Sequence, residues 1–287
     1  MTRQATTSSL VIDEAIKQGC TLIGTLAENP RLEAEIFLAN AIGKSRTYLH
    51  TWPERIVEPY QVETYFKCIR QRAAGTPVAY VLGRREFWSL QLEVNADTLI
   101  PRPETELLVE LALDHIEIDA NWIIADLGTG SGAIALAMAV ERPQCQFLGV
   151  DNSSAALEIA NRNAANLQID NIQFILGDWT TPLGIGKTQM IVSNPPYVRD
   201  QDPHLHQGDV RFEPRSALSS GNDGLRDIKL IAAAAGSYLT PGGSLLFEHG
   251  YDQGKAVRGI LNAKGYSGIQ TYRDLTGHER VSAAILE

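Results

Sequence analysis

From Pro103 onward, short apolar runs alternate with helical stretches, and that alternation leaves few folds open to the chain. Strand-like runs occupy 122–126, 147–150, 172–176, 190–193, 244–247, 269–272 and 281–286, and helical stretches at 132–140, 154–166, 225–238 and 253–264 separate most of them. A strand that returns to a sheet parallel to its predecessor needs a long crossover, usually a helix. Strands alternating with helices therefore predict an α/β fold with a doubly wound, mostly parallel sheet covered on both faces. The last two strands are joined by only RDLTGHER, too short for a helical crossover, so the last strand is expected to run antiparallel.

The first 77 residues read as a small helical domain. Asn29-Pro30 supplies a cap and a first-turn proline, Glu33 and Glu35 sit near the positive end of the helix that follows, and Leu32, Ile36, Phe37 and Ala39 mark its buried face. A later helix carries Val62, Tyr65, Phe66 and Ile69 as an amphipathic stripe and ends at Gly75-Thr76-Pro77. Residues 78–100 look like strand material, with Leu90, Leu92 and Val94 alternating against Gln91 and Glu93. The expected organisation is a helical domain at 1–77, a β-hairpin linker at 78–102 and a catalytic domain at 103–287.

Charge narrows the function. The net charge of −9 is uneven: residues 1–80 hold nine Lys/Arg and eight Asp/Glu, whereas the remainder holds 16 and 26. An acidic catalytic half repels phosphate backbones, which counts against a bare nucleic-acid substrate. Three cysteines, Cys20, Cys68 and Cys145, lack metal-like spacing and read as reduced thiols. No segment approaches 18 continuous apolar residues, and the opening MTRQATTSSL has no signal-peptide core, so a soluble, cytoplasmic protein is expected.

Four motifs carry chemistry. In WIIADLGTGSGAIALA a strand ends at Asp126, a loop with Gly128, Gly130 and Gly132 follows, and a helix opens near Ala133. Such glycines let backbone pack against a ligand while turning from strand to helix, and the same pattern fits a dinucleotide fingerprint. Asp151 ends the next strand, where an acidic side chain can accept from ribose hydroxyls or cap the helix that follows. Gly177-Asp178-Trp179 follows the third strand, and Trp179 offers a flat wall for a purine. Asn194-Pro195-Pro196-Tyr197 follows MIVS. Its prolines remove two amide donors. The Asn194 oxygen and the Pro195 carbonyl can together accept both hydrogens of a planar –NH2 group, with Tyr197 covering one face. His204 and His206, without further ligands on a loop, are expected to be solvated, and no metal is expected.

With those residues in view, the chain resembles the family of glutamine methyltransferases acting on peptide chain release factors (PrmC, also called HemK). The resemblance runs through LIPRPETELLVE at 99–110, DLGTGSGAIAL, GDW, NPPYV, QGDVRFEP at 207–214 and HER near the end. It implies a Rossmann-like fold using S-adenosyl-L-methionine and releasing S-adenosyl-L-homocysteine. Gly128, Thr129, Gly130, Ser131 and Gly132 would line the cofactor site, with Asp151 on the ribose and Trp179 beside adenine. Asn194 would touch cofactor and substrate, and Asn194, Pro195, Pro196 and Tyr197 would hold the glutamine of the Gly-Gly-Gln motif in class-1 release factors. Asn194 and Tyr197 are the expected catalytic residues. A ribosomal-protein glutamine or a nucleic-acid amino group are the rival substrates. Val198–Gly224, long for a connection, is expected to fold over the substrate together with the N-terminal domain.

Overall fold

The computed structural model describes residues 10–287. The chain divides between Gly83 and Arg84 into a helical unit and an α/β unit.

The helical unit holds α1 (Ile12–Ile23), α2 (Pro30–Ile42), α3 (Arg46–Thr51), α4 (Pro59–Ala73) and α5 (Val78–Leu82). The Asn29 side chain accepts from the Leu32 amide at 3.0 Å, with Pro30 in the first turn, so α2 starts where the sequence places it. Gly43, in the left-handed region, ends it. Ile12, Ile16, Phe37, Leu38, Tyr65 and Ile69 pack into one buried core between α1, α2 and α4. Strand character was expected from residue 78, but Pro77 and a left-handed Gly83 instead bracket one short helical segment, α5. Proline pre-sets the backbone for a turn and glycine releases it, which overrides the strand-like composition of Val-Ala-Tyr-Val-Leu.

The α/β unit opens with the antiparallel hairpin β1 (Arg84–Phe87) and β2 (Leu90–Glu93). Its two-residue turn, Trp88-Ser89, has φ of 52° and 60°. Neither residue is glycine, and the Glu106 carboxylate, accepting from the Trp88 amide at 2.9 Å, holds the turn in place. There follow α6 (Glu106–Asp114), β3 (Ile123–Leu127), α7 (Ala133–Glu141), β4 (Gln146–Asp151), α8 (Ser154–Leu167), β5 (Ile172–Leu176) and β6 (Thr188–Ser193). The chain closes with α9 (Arg226–Ala235), β7 (Leu239–Glu248), α10 (Gly254–Ala263), β8 (Tyr266–Arg273) and β9 (Glu279–Leu286). The helix α6 is absent from the sequence expectations. Leu108, Val109, Leu111, Ala112 and Leu113 are buried there, opposite a polar stripe of Glu106, Glu110 and Asp114 at helical spacing, on a helix of only nine residues.

The seven-stranded sheet has the order β5-β4-β3-β6-β7-β9-β8. Pairings from β5 through β7 are parallel, and β9 runs antiparallel to both β7 and β8, as the short RDLTGHER link requires. Side chains alternate between faces: Ile124, Met190, Val192 and Leu246 join the core beneath α6 and α7, whereas Ala125, Leu127, Ile191 and Leu245 join that of α9 and α10. Strand order reverses at β3, which has β4 on one side and β6 on the other. Crossovers leave the sheet in opposite directions there, which opens a crevice at the carboxyl ends of β3, β4 and β6.

Candidate active site

That crevice collects the sequence motifs. The loop after β3 turns with φ of 74° at Gly128, 56° at Gly130 and 83° at Gly132, values that L side chains rarely adopt. A Cβ at Gly132 would lie 3.1 Å from the Phe174 ring and 3.0 Å from Leu136. The Gly128 and Thr129 amides both donate to the Val150 carbonyl, at 2.8 and 3.0 Å, tying the loop to the end of β4. Asp151 secures it further: Oδ2 accepts from the Gly130 amide and Oδ1 from the Ser153 amide, each at 2.9 Å. Each oxygen keeps a lone pair for another donor. Ser153 also caps α8, accepting from the Ala156 amide at 3.2 Å, so the cap role falls to Ser153 while Asp151 braces the loop. Burial raises the Asp151 carboxyl above its ordinary value.

A cavity of about 470 Å³ fills the crevice, in the size range of small-molecule sites. Gly128, Gly130, Asp151, Trp179, Asn194 and Pro196 are among the residues that line it. The Trp179 ring lies against Gly128, where a Cβ would stand 3.3 Å away. Thr129, Ser131 and Gly132, also expected at the cofactor site, are not among the residues that line this cavity. The Thr129 hydroxyl turns inward to Asp126 Oδ2 at 2.7 Å. The Ser131 carbonyl accepts from Asn163 Nδ2 at 2.9 Å, and the Asn163 side chain also bonds the Glu93 backbone, stitching β2 to the loop. Asp126 itself is buried, and its Oδ1 has no partner. Burial pushes its carboxyl up to about 7, against the pull of the Thr129 hydroxyl.

The Asn194–Tyr197 turn leaves β6 beside this loop because Ser193 Oγ donates to the Leu127 carbonyl at 2.6 Å. Asn194 Nδ2 donates to Thr105 Oγ1 at 3.3 Å, which leaves Oδ1 free to accept. The Tyr197 hydroxyl donates to Glu248 Oε1 at 3.2 Å, and the Tyr197 carbonyl accepts from Gln253 Nε2 at 3.0 Å. Burial, and next the charge of Glu248, raise the Tyr197 phenol, so it remains a neutral hydroxyl. A second, smaller cavity of about 200 Å³ lies on the other side of the turn, walled by Arg102, Pro195, Tyr197, Leu205, Val210 and Leu218 among others. Asn194 lines both cavities.

The 198–224 segment supplies much of that second wall through short 3-10 turns at Pro203–His206, Val210–Phe212 and Arg215–Ala217. A single bridge between Val198 and Ser219 pins its ends together. His204 Nδ1 pairs with Asp202 Oδ1 at 2.7 Å, and among the described residues no group of three or more His, Cys, Asp or Glu is placed to hold a metal. Arg102, half-buried, and Glu213, buried, from the LIPRPETE and VRFEP stretches, form an ion pair. The Ile100 amide also donates to Glu213, at 3.2 Å. Burial raises the Glu213 carboxyl, and Arg102 pulls it back. Thr105, Glu248 and Asp126 are site residues to which the sequence reading assigns no role; only Thr105 and Asp126 fall within motifs it singles out.

A glycine loop, a braced acidic residue and a purine-sized wall at the switch point of a seven-stranded sheet with an antiparallel last strand define a Rossmann-like methyltransferase. The family model described as "Methyltransferase small domain" matches residues 104–211, and "PrmC N-terminal domain" matches residues 14–83. The crystal structure of a methyltransferase from Pyrococcus furiosus superposes with a TM-score of 0.51 at 18% identity, over 68% of this chain and 88% of that one, and is similar in fold. The release factor glutamine methyltransferase of Vibrio cholerae is 49% identical over 96% of both chains. That of Pseudomonas aeruginosa is 50% identical over 92% of this chain and 96% of its own. The chain belongs to the release factor glutamine methyltransferase family.

Proposed function

We propose that this chain transfers the methyl group of S-adenosyl-L-methionine to the side-chain amide nitrogen of the glutamine in the Gly-Gly-Gln motif of class-1 release factors. One observation carries the reading: Asn194 stands in the wall shared by two cavities. The larger suits a nucleoside-bearing cofactor and the smaller suits one short side chain.

The residues present fit the cofactor. Asp151 has lone pairs left for ribose hydroxyls after bracing the loop. Trp179 gives a flat apolar face for adenine. The side-chain-free Gly128 lets that face be reached, since a Cβ there would stand 3.3 Å from the Trp179 ring. When bound, S-adenosylmethionine supplies a sulfonium methyl, an electrophile that needs no metal.

An amide nitrogen is a poor nucleophile because its lone pair is delocalised into the carbonyl, and deprotonation at neutral pH is out of reach. The chain works on this by accepting. Asn194 Oδ1 and the Pro195 carbonyl, which takes no backbone hydrogen bond among the described residues, would grip the two N–H bonds. Acceptance on both bonds favours a pyramidal nitrogen whose lone pair points toward the large cavity. That stabilisation grows toward the transition state, so it raises turnover rather than merely tightening binding. Tyr197 covers one face of the carboxamide, and the turn's rigidity holds nitrogen and methyl in line. The proline pair keeps the turn from spending its own amides on these acceptors.

The helical unit is assigned to recognition of the protein substrate, and residues 103–287 to catalysis. The absence of a helix long and apolar enough to cross a membrane among the described residues is compatible with a cytoplasmic protein substrate. The test is transfer of labelled methyl from S-adenosylmethionine to three candidates in parallel: intact release factor, ribosomal protein and nucleic acid. Label on release factor alone supports the proposal; label on nucleic acid or ribosomal protein instead would replace it with that reading.

A further inference from the structure

The grip described above accounts for only part of a carboxamide. A primary amide offers two N–H donors and a carbonyl oxygen that accepts. Asn194 Oδ1 and the Pro195 carbonyl answer the donors. The oxygen, taken out of water into the smaller cavity, also needs a partner, because a buried acceptor left unmet bears its full desolvation penalty.

Few side chains in that cavity's wall can donate. Its polar members are Arg102, Asn194, Tyr197 and His204. Asn194 Nδ2 already donates to Thr105 Oγ1 at 3.3 Å, and the Tyr197 hydroxyl to Glu248 Oε1 at 3.2 Å. His204 engages Asp202 through Nδ1 at 2.7 Å, and its side chain is 81% exposed, so water meets its other nitrogen. Arg102 differs from all three. Its side chain is 32% exposed, and its guanidinium makes one hydrogen bond among the described residues, from Nη2 to Glu213 Oε1. A guanidinium carries several N–H donors in a fixed plane, and the rest of these are uncommitted. The fork is also held still. The Glu213 side chain is 0% exposed, and its other oxygen accepts from the Ile100 amide at 3.2 Å. One carboxyl group thus fastens the chain at Ile100 and the guanidinium of Arg102, and a donor fixed in advance loses little freedom when substrate arrives.

We infer that Arg102 is a specificity-determining residue: held by Glu213, it donates to the carboxamide oxygen of the substrate glutamine. This rests on the proposed role of the Asn194–Tyr197 turn and deepens it, since two acceptors and one donor together read every polar atom of the carboxamide. Methyl transfer forms a bond at nitrogen and breaks one at sulfur, and the oxygen keeps its place throughout. Arg102 therefore holds substrate and transition state alike, and its contribution falls on KM. It does not speed the chemical step. A donor on the oxygen favours the planar, conjugated amide, the opposite of what Asn194 and Pro195 promote at the nitrogen.

The experiment crosses enzyme variants with substrate variants. Calorimetry with the full chain, saturated with S-adenosyl-L-homocysteine, compares intact release factor carrying Gly-Gly-Gln with the same factor carrying Met in place of that Gln. Methionine has a similar length and neither the oxygen nor the N–H groups. The native chain should bind the Gln form about 100-fold or more tightly than the Met form, since a site built to bond polar atoms rejects an analogue that lacks them. In R102M that gap should shrink about tenfold or more, the scale of a hydrogen bond to a charged group. A purely structural Arg102 would weaken both forms equally and leave the gap intact, which would overturn the assignment. In turnover, R102M should raise KM for release factor about tenfold or more while kcat changes less than about threefold; a fall in kcat that matches the rise in KM would contradict the role. H204Q should keep the native gap, and a gap that collapses there instead would move the oxygen contact to His204 and sink the inference. R102K keeps a cation for Glu213 and loses the planar fork, so it decides alone should R102M fail to fold: a smaller gap supports the assignment and a native gap overturns it. The native chain separates the two levels. No gap between the Gln and Met forms there sinks the underlying reading of the cavity, whereas a native gap that persists in R102M sinks Arg102 alone.

Discussion

Asn in place of Asp126 should make the protein's stability less sensitive to pH, and the size of the effect follows from one buried oxygen. Asp126 is 1% exposed, its Oδ2 takes the Thr129 hydroxyl, and its Oδ1 has no partner. Burial lifts the carboxyl from its ordinary 3.8 to about 7, the Thr129 bond only partly opposing it. The folded protein therefore holds this proton more tightly than the unfolded chain does. Its contribution costs nothing below about pH 4, grows as pH rises, and is complete above about pH 7. At about 1.4 kcal/mol for each pH unit between the two values, the full cost is about 4 kcal/mol, of which about 3 kcal/mol falls between pH 5 and pH 8. D126N keeps an acceptor for Thr129 and does not titrate. Whatever fixed penalty the substitution carries cancels when the two proteins are compared across pH. Urea unfolding followed by tryptophan fluorescence at pH 5 and pH 8 should show D126N gaining about 3 kcal/mol on the native protein as pH rises. Parallel stability curves would refute the reasoning, since they would mean that Asp126 is charged in the folded protein throughout that range.

Asn194→Ala should lose about 100- to 1,000-fold in turnover with a smaller change in cofactor affinity, as for removal of one preorganised hydrogen-bonding group; near-native turnover contradicts its role. Asp151→Ala removes two backbone braces and the proposed ribose acceptor, so cofactor affinity should fall about 10- to 100-fold, and an unchanged binding constant in calorimetry would sink that assignment. Gly19→Ala should destabilise the helical unit by about 1–3 kcal/mol, because its Cβ would fall 1.9 Å from the Tyr65 hydroxyl, which donates to the Ala15 carbonyl at 3.1 Å. Replacing Tyr65 with Phe as well should return much of that loss, and a full-length Gly19→Ala protein with native unfolding would contradict the contact.

What could be read from the sequence was whatever depends on backbone and on neighbours in the chain. The glycine loop, Asp151 at a strand end and the proline-locked turn each carry their geometry in consecutive residues, and the structure brings Gly128, Gly130, Asp151, Trp179 and the Asn194–Tyr197 turn to one crevice. The residues that hold this arrangement could not be read, because their partners are remote. Thr105 meets Asn194 across 89 positions, Tyr197 meets Glu248 across 51, and Arg102 meets Glu213 across 111. No local period marks such pairs. The bond of the Thr129 hydroxyl to Asp126, though only three positions away, leaves no mark in the residue pattern, and only the fold brings Asn163 to the Ser131 carbonyl. At the level of elements, α6 was legible in the i, i+4, i+8 spacing of Glu106, Glu110 and Asp114 but was not read, and α5 escaped because Pro77 and Gly83 outweigh a strand-like composition.

The most direct test of methyl transfer at a gripped carboxamide is mass spectrometry of a release-factor peptide containing Gly-Gly-Gln after incubation with the full chain and S-adenosylmethionine. One added methyl, placed by fragmentation on the glutamine side-chain nitrogen and missing when glutamine is replaced by glutamate, is the result expected. A methyl on the peptide backbone or on another side chain, or equal labelling of the glutamate peptide, would contradict the central claim.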